Sequence, residues 1–279
     1  GADNIYSNFL TRETAYWQPI LEYNNVDGLQ NIWDYHYKAI GQANAALDAI
    51  ETTLHNDASL NPAKGEALVA RAYAHFCLVN LFSQAYNPNT SSSDLGIPYI
   101  TRPEEEMNPQ RQRGTVAQVY QQIAADLEKG LPLIDDSYYQ MPKYHFNKKA
   151  AYAFAARFYL YYQQWQKALD AANVVLTTND ATTKNLVREW LDFRDAQKTG
   201  TRSITAYAQA YARESEVANL MLQPVYSQLS TNYFIETNQR FSHAYRVSEQ
   251  ETLSTTNLWD ANAASKNNGY EFYWFMPFT

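Results

Sequence analysis

Residues 154–176 read FAARFYLYYQQWQKALDAANVVL, and the spacing of small and aromatic residues in this stretch decides the fold. Ala156 is followed by Tyr159 three positions later, by Trp165 nine positions later and by Ala172 sixteen positions later. This spacing is typical of a tetratricopeptide helix pair, in which small residues let two antiparallel helices approach and aromatic residues fill the space before the next pair. We therefore expect Tyr159 and Trp165 to be packing residues, and any ligand to contact the loops.

One such helix pair cannot bury its faces alone, so at least three are expected. A similar four-residue sequence occurs earlier in the chain, where Ala70-Arg71-Ala72-Tyr73 resembles Ala156-Arg157-Phe158-Tyr159. Helical periodicity predicts an antiparallel helix pair over 28–86, a helix over 115–130, and a further pair from 147 to 176. The predicted fold class is mainly α, with tetratricopeptide-like helix hairpins in a right-handed superhelix and long irregular loops.

Several helix ends carry capping signals. Asn61 precedes Pro62, which predicts an N-cap followed by proline at the first helical position of a helix that ends near Tyr86. Thr115 stands three residues before Gln118, the pattern of a capping box, and Asn147 is expected to cap the helix that runs to about Gln163. Residues 87–113 contain Pro98, Pro103 and Pro109, and are expected to be irregular.

The signals weaken towards the C-terminus. Residues 216–226 are apolar enough for a strand or a helix, and residues 230–279 are rich in Asn, Ser and Thr and are expected to form loops. We therefore predict a helical region over 1–225 and the start of a loop-rich region, which we expect to be truncated, over 226–279.

Composition excludes several classes of function. The 279 residues carry a net charge of −7, and no stripe of Lys or Arg is present to bind nucleic acid. The single cysteine, Cys77, excludes an intrachain disulfide framework. No cofactor motif or set of metal ligands with the usual spacing is found, so no cofactor, metal site or catalytic residue is predicted.

Four segments together resemble the N-terminal part of the SusD/RagB family. They are RAYAHFCLVNLFSQAY (71–86), DLGIPYITRPEEE (94–106), RGTVAQVYQQIAADLEKGLPLI (113–134) and AAYAFAARFYLYYQQWQKALDAANVVL (150–176). The resemblance covers about 1–225. It implies a non-catalytic, tetratricopeptide-based lipoprotein of the outer membrane of Bacteroidetes, which binds glycans, or in some members peptides, at the cell surface. The implied partner is a SusC-like TonB-dependent transporter, for which such proteins act as a lid.

The chain departs from the family pattern at both ends. The N-terminal cysteine that bears the lipid in the family is missing, and Gly1 is interpreted as a residue left by tag removal. The chain is also shorter than family members usually are. We expect the native N-terminus and much of the C-terminal region, which contributes to the ligand site in relatives, to lie outside this sequence.

Two aromatic clusters are candidates for a glycan site, since sugars stack on exposed rings beside polar side chains. In relatives part of the site precedes the first long helix, and here that segment offers Tyr16, Trp17, Asn24 and Asn25. The second cluster lies near the C-terminus and consists of Tyr270, Tyr273 and Trp274, with Tyr226 and Tyr233 as weaker candidates. The alternatives are that Trp17 packs against the helices and that the second cluster is a strand facing the core.

Two other classes of function remain open as alternatives. An enzyme would need two carboxylates at set distances, but the adjacent pair Asp135-Asp136 diverges in direction and belongs to no recognised motif. A tetratricopeptide scaffold would bind a peptide in its groove, for which Asn44, Lys64 and Arg71 are the candidate contacts.

Overall fold

The structure is a computed structural model that describes residues 13, 16–19, 28–104, 109, 111–176, 183–184, 186–188 and 212–222. The chain divides into two compact units. One unit comprises Trp33–Val187 with Val217–Leu222. The other comprises Gly1–Ile32, Arg188–Glu216 and Gln223–Thr279. The predicted division into 1–225 and 226–279 stays a prediction.

Five α-helices are described from end to end, so the prediction of a mainly α fold is confirmed. They are α1 (Leu29–Thr52), α2 (Asn61–Phe82), α3 (Val116–Gly130), α4 (Lys148–Tyr161) and α5 (Trp165–Val175). Short 3-10 turns occupy Ala58–Leu60, Leu131–Leu133, Asp136–Tyr138 and Pro142–Tyr144. Within the same ranges the only β pairing is one bridge between Leu95 and Thr115. No helix in the described part is both long and apolar enough to cross a bilayer.

Helices α2 and α3 form a close antiparallel pair because a glycine stands on each side of their contact. A Cβ atom on Gly65 would lie 2.8 Å from the carbonyl oxygen of Gly130 and 2.9 Å from Leu133 Cβ. One on Gly130 would lie 3.0 Å from the carbonyl oxygen of Gly65. Further along the two helices Arg71 on α2 meets Asp126 on α3, which fixes the antiparallel direction.

Replacing Gly65 by Ala is therefore expected to destabilise the protein although alanine is the better helix former. The new methyl group meets backbone atoms that cannot rotate away, and overpacking of this kind costs about 1–3 kcal/mol. The free energy of unfolding, measured by urea titration with circular dichroism, should fall.

Gly41 provides the matched control for this experiment. It also lies inside a helix, α1, but a Cβ atom there would meet nothing within 4 Å. Gly41→Ala should raise the free energy of unfolding by about 0.5–1 kcal/mol through helix propensity alone. If both substitutions stabilised the protein, the close contact between α2 and α3 would be wrong.

The predicted antiparallel arrangement of the helices in 28–86 is confirmed, but a third segment joins them. Trp33 on α1 lies edge-on against Phe82 on α2, with ring centroids 4.9 Å apart. Residues 98–102 hydrogen-bond to both helices, since Tyr37 on α1 donates to Pro98 O at 2.8 Å and Ile100 N donates to His75 on α2 at 3.1 Å. The irregular segment is therefore part of the core of this unit.

Helices α4 and α5 form the hairpin that the opening stretch predicts. Gln163 turns the chain with a φ of 60°, in the left-handed region, and Gln164 N donates to Tyr159 O at 2.9 Å. Tyr159 is buried as expected, but Trp165 is 61% exposed, so its assignment to the packing residues is wrong. Buried contacts of α5 come instead from Ala171 and Val175, which lie on a different face of that helix.

The helix-end predictions succeed where the signal is local. The capping box of Thr115 and Gln118 and the cap at Asn147 are confirmed. Asn61 is not an N-cap. The 3-10 turn that Asp57 caps runs directly into α2, so Asn61 is the first residue of α2. Helix α2 ends at Phe82 and not near Tyr86, and Arg113 donates to the carbonyl oxygen of Phe82 at 3.2 Å.

The second unit is described at residues 13, 16–19, 28–32, 188 and 212–216. Glu216 in this unit pairs with Arg188 at 3.6 Å and with Arg213 at 3.8 Å. Of the segment predicted as a strand or a helix, 216–226, residues 216–222 are described, and they form turns and a bend without helix or strand. The loops predicted over 230–279 lie outside the described residues.

Candidate ligand-binding site

The turn at residues 16–19 carries two exposed aromatic side chains that were predicted to bind a glycan. Trp17 is 95% exposed and Tyr16 is 53% exposed. The assignment of Trp17 to a glycan site and the alternative in which it packs against the helices both stay predictions. The turn is closed by a hydrogen bond of 2.8 Å from Gln18 N to the carbonyl oxygen of Glu13. The indole is thus available to a ligand on nearly its whole surface.

Trp17 also has an unusual backbone conformation. Its φ is 55°, in the left-handed region that bulky side chains seldom adopt. Backbone conformations of this kind cost on the order of 1–3 kcal/mol and tend to occur where a side chain is held for binding. Exposure and conformation together favour a functional role for this tryptophan.

The other predicted contacts cannot be placed beside it. Asn24 and Asn25, and the second cluster of Tyr270, Tyr273 and Trp274, lie outside the described residues. The assignment of these five residues to the glycan site therefore stays a prediction.

A buried polar network was missed by the sequence analysis. Arg71 donates two bonds to the carboxylate of Asp126, at 2.7 and 2.6 Å, and further bonds to Asn44 Oδ1 and Thr101 O at 2.9 and 3.1 Å. Tyr99 donates to Asp126 at 2.6 Å. Burial, followed by the charge of Asp126, raises the pKa of Tyr99 well above its ordinary value, so the phenol stays protonated as a donor.

The network corrects the peptide-groove alternative. Asn44 and Arg71, two of its three candidate contacts, are only 1% and 7% exposed, and their polar atoms bind partners inside the protein. A detectable signal exists in the sequence. Asp126 recurs with Val119 and Ile123 on the apolar face of α3, and a charge on such a face needs a buried partner.

His75 extends the network along α2. Its ring is fully buried, stacks on Tyr99 with centroids 3.8 Å apart, and lies 2.9 Å from the carbonyl oxygen of Arg71. Nε2 accepts a hydrogen bond from Ile100 N. The neutral ring therefore carries its proton on Nδ1 and donates it to the carbonyl oxygen of Arg71. Burial lowers the pKa of His75 from 6.5 to about 3.

The protein is therefore expected to lose stability below pH 6.5 through His75. Unfolded His75 binds a proton below that pH, whereas folded His75 stays neutral until the pH approaches 3. The contribution is complete above pH 6.5 and falls by about 1.4 kcal/mol per pH unit, which amounts to about 2 kcal/mol at pH 5. Urea unfolding of the wild type and of His75→Gln at pH 7, 6 and 5 measures this loss. The difference between their free energies of unfolding should shrink as the pH falls.

His55→Gln is the control, since this histidine lies in an exposed turn after α1. The pH dependence of its difference from the wild type is the reference for His75→Gln. A difference for His75→Gln that shrinks no more than this reference would contradict the depressed pKa of His75.

A cavity of about 510 Å³ lies beside the network, between α1, α2, the segment 101–103 and the end of α3. Its buried residues include Asn44, Leu68 and Arg71, and charged side chains from three helices and from the segment 101–103 line the remainder. No group of three or more His, Cys, Asp or Glu residues that could hold a metal ion occurs among the described residues.

Comparison with known proteins identifies the family. A family model described as SusD-like, starch-binding and associating with the outer membrane matches residues 2–160, more than half of the 279 residues. The chain belongs to the SusD-like family. The resemblance found in the four sequence segments is therefore confirmed. No curated protein matches this SusD-like chain.

Solved structures agree with the assignment to the SusD-like family. A SusD superfamily protein from Bacteroides thetaiotaomicron is 31% identical, with a TM-score of 0.50 over 59% of this chain and 35% of its own. A SusD superfamily protein from Bacteroides fragilis is 25% identical, with a TM-score of 0.51 over 66% of this chain and 43% of its own. A putative sugar-binding protein from Bacteroides vulgatus is 22% identical and shares the fold, with a TM-score of 0.54 over 77% and 46%. The chain thus spans less than half the length of these three proteins.

Proposed function

We propose that this SusD-like chain is the helical part of a glycan-binding protein at the bacterial cell surface. It binds oligosaccharides without transforming them and delivers them to a SusC-like TonB-dependent transporter in the outer membrane. The observation that carries this proposal is the match of residues 2–160 to a starch-binding, outer-membrane family. The transporter, the lipid anchor and the surface location rest on the family resemblance.

The exposed turn at residues 16–19 supports the assignment of binding to Trp17. A sugar ring has a weakly apolar face, and an indole offers a large flat surface for it at a low cost in conformational entropy. Trp17 presents nearly all of that surface, and Tyr16 beside it adds a second ring with a polar tip. We assign stacking to Trp17 and count Asn24, Asn25, Tyr270, Tyr273 and Trp274 as further proposed contacts.

Titration of tryptophan fluorescence with maltoheptaose, a starch fragment, tests the proposal. The wild-type chain should show a saturable change, and Trp17→Ala should weaken binding at least about tenfold, as truncation of an aromatic anchor usually does. Trp17→Tyr should retain part of the affinity because it keeps a ring.

Trp165→Ala is the matched control, since Trp165 is also exposed but lies on α5. It should leave the affinity unchanged. Equal binding by Trp17→Ala and the wild type would remove Trp17 from the site, and release of new reducing ends from the glycan would contradict binding without catalysis.

A further inference from the structure

The cavity beside the polar network contains opposite charges that do not pair with each other. Asp48 and Glu51 on α1 face the same space as Lys64 on α2, Arg102 in the irregular segment and Lys129 at the end of α3. Among the described residues, Lys64 makes a side-chain bond to Asn56 at 2.8 Å, and the other four make no ion pair or side-chain hydrogen bond. The acids and bases that line the cavity therefore form no ion pairs with one another among the described residues.

The charge of the cavity is positive although the whole chain is acidic. Arg71 at its buried side is neutralised by Asp126, with nitrogen and oxygen 2.6 Å apart. Three cations then remain against two carboxylates, a balance of +1, in a chain whose net charge is −7. An anionic group on a ligand is the chemistry that this balance favours.

The two carboxylates restrict the ligand further. Asp48 and Glu51 accept hydrogen bonds only, so a ligand must offer donors on one side and an anion on the other. A cavity of about 510 Å³ is within the range of small-ligand sites, about 300–1,000 Å³. An acidic sugar meets both requirements, because its carboxylate accepts from Lys and Arg while its hydroxyls donate to Asp and Glu.

We propose that this cavity binds a carboxylated sugar of one or two residues, in addition to the glycan bound at Trp17. Arg102 and Lys129 hold the carboxylate, and Asp48 and Glu51 accept bonds from the hydroxyls. The choice of a sugar as the carrier of the carboxylate rests on the proposed function. The location of the site rests on the geometry of the cavity alone.

Calorimetric titration of the full 279-residue chain with digalacturonate tests the site. Binding should be saturable and should weaken as salt is raised from 0.05 to 0.5 M, because salt screens exposed charges. Arg102→Gln and Lys129→Gln should each raise Kd about three- to tenfold, and the double variant should raise it further than either. The dimethyl ester of digalacturonate, which keeps the shape but not the charge, should bind at least about tenfold more weakly.

Control variants separate this inference from the proposed function. Lys149→Gln removes an exposed cation on α4 that does not line the cavity, and should change Kd for digalacturonate less than about twofold. Trp17→Ala should likewise leave digalacturonate binding intact while it weakens maltoheptaose binding. Loss of digalacturonate binding in the cavity variants alone supports the inference even if maltoheptaose fails to bind.

Four results would overturn the inference. They are no binding of digalacturonate, equal binding of its dimethyl ester, equal weakening by Lys149→Gln, and binding of a zwitterionic dialanine in place of the acidic sugar. None of them bears on the stacking assigned to Trp17.

Discussion

Arg71→Met is expected to lower the free energy of unfolding by about 3–5 kcal/mol, because it leaves the carboxylate of Asp126 buried and without its cation. Both side chains of the pair are less than one tenth exposed. Chemical denaturation at pH 7 measures the loss as a fall in the midpoint concentration of urea. Most of this loss of stability comes from leaving the Asp126 carboxylate buried and unpaired, and not from losing its attraction to Arg71 alone.

The double variant Arg71→Met/Asp126→Leu distinguishes these two causes. With both charges gone, the interior loses the unpaired carboxylate, so the double variant should be more stable than Arg71→Met. Lys167→Met is the matched control, since Lys167 pairs with Glu128 at 2.7 Å while both side chains are about half exposed. It should cost less than about 1 kcal/mol. Equal losses for Arg71→Met and Lys167→Met would contradict the buried network.

The network supports the inferred acidic-sugar site because it fixes one wall of the cavity. Arg71 binds Thr101 O, and Asn44 donates to Ile100 O and to Arg102 O at 3.0 and 3.3 Å. These bonds hold the backbone of residues 100–102, and Arg102 is one of the residues that line the cavity. The fold and the inferred acidic-sugar site therefore depend on the same buried side chains.

The sequence alone predicted the structural features that depend on residues close to one another in the chain. The Thr115–Gln118 capping box and the Asn147 cap depend on bonds over three positions, and both are present. The α4–α5 hairpin follows from spacing over twenty residues. The Asn61 cap failed because the residues before it, from Asp57, form a turn of their own that continues into the helix.

Features decided by distant residues escaped the sequence analysis. Arg71 and Asp126 are 55 positions apart, and only the packing of α2 against α3 brings the two side chains together. The exposure of Trp165 escaped for the same reason, because the tetratricopeptide pattern assigns it to a contact with a following helix pair. Trp17 was identified from family position and residue type, whereas its left-handed backbone has no signature in the sequence.

Phe158→Ala is expected to lower the free energy of unfolding by about 3–5 kcal/mol, the usual loss for a fully buried phenylalanine. The ring of Phe158 has no exposed surface and joins α4 to two other helices. It packs edge-on against Phe76 on α2 and stacked against Tyr120 on α3, with centroids 5.9 and 5.6 Å away. Truncation therefore removes one contact shared by three helices and leaves a cavity among them.

Leu160→Ala, on the same helix but 54% exposed, is the control and should change stability by less than about 1 kcal/mol. Guanidinium unfolding followed by circular dichroism at 222 nm compares the two variants. A loss below 1 kcal/mol for Phe158→Ala would mean that the α4–α5 hairpin is not packed on α2 and α3 through this ring. A large loss with unchanged maltoheptaose affinity in the folded state would show that the ring stabilises the helical core without shaping the site at Trp17.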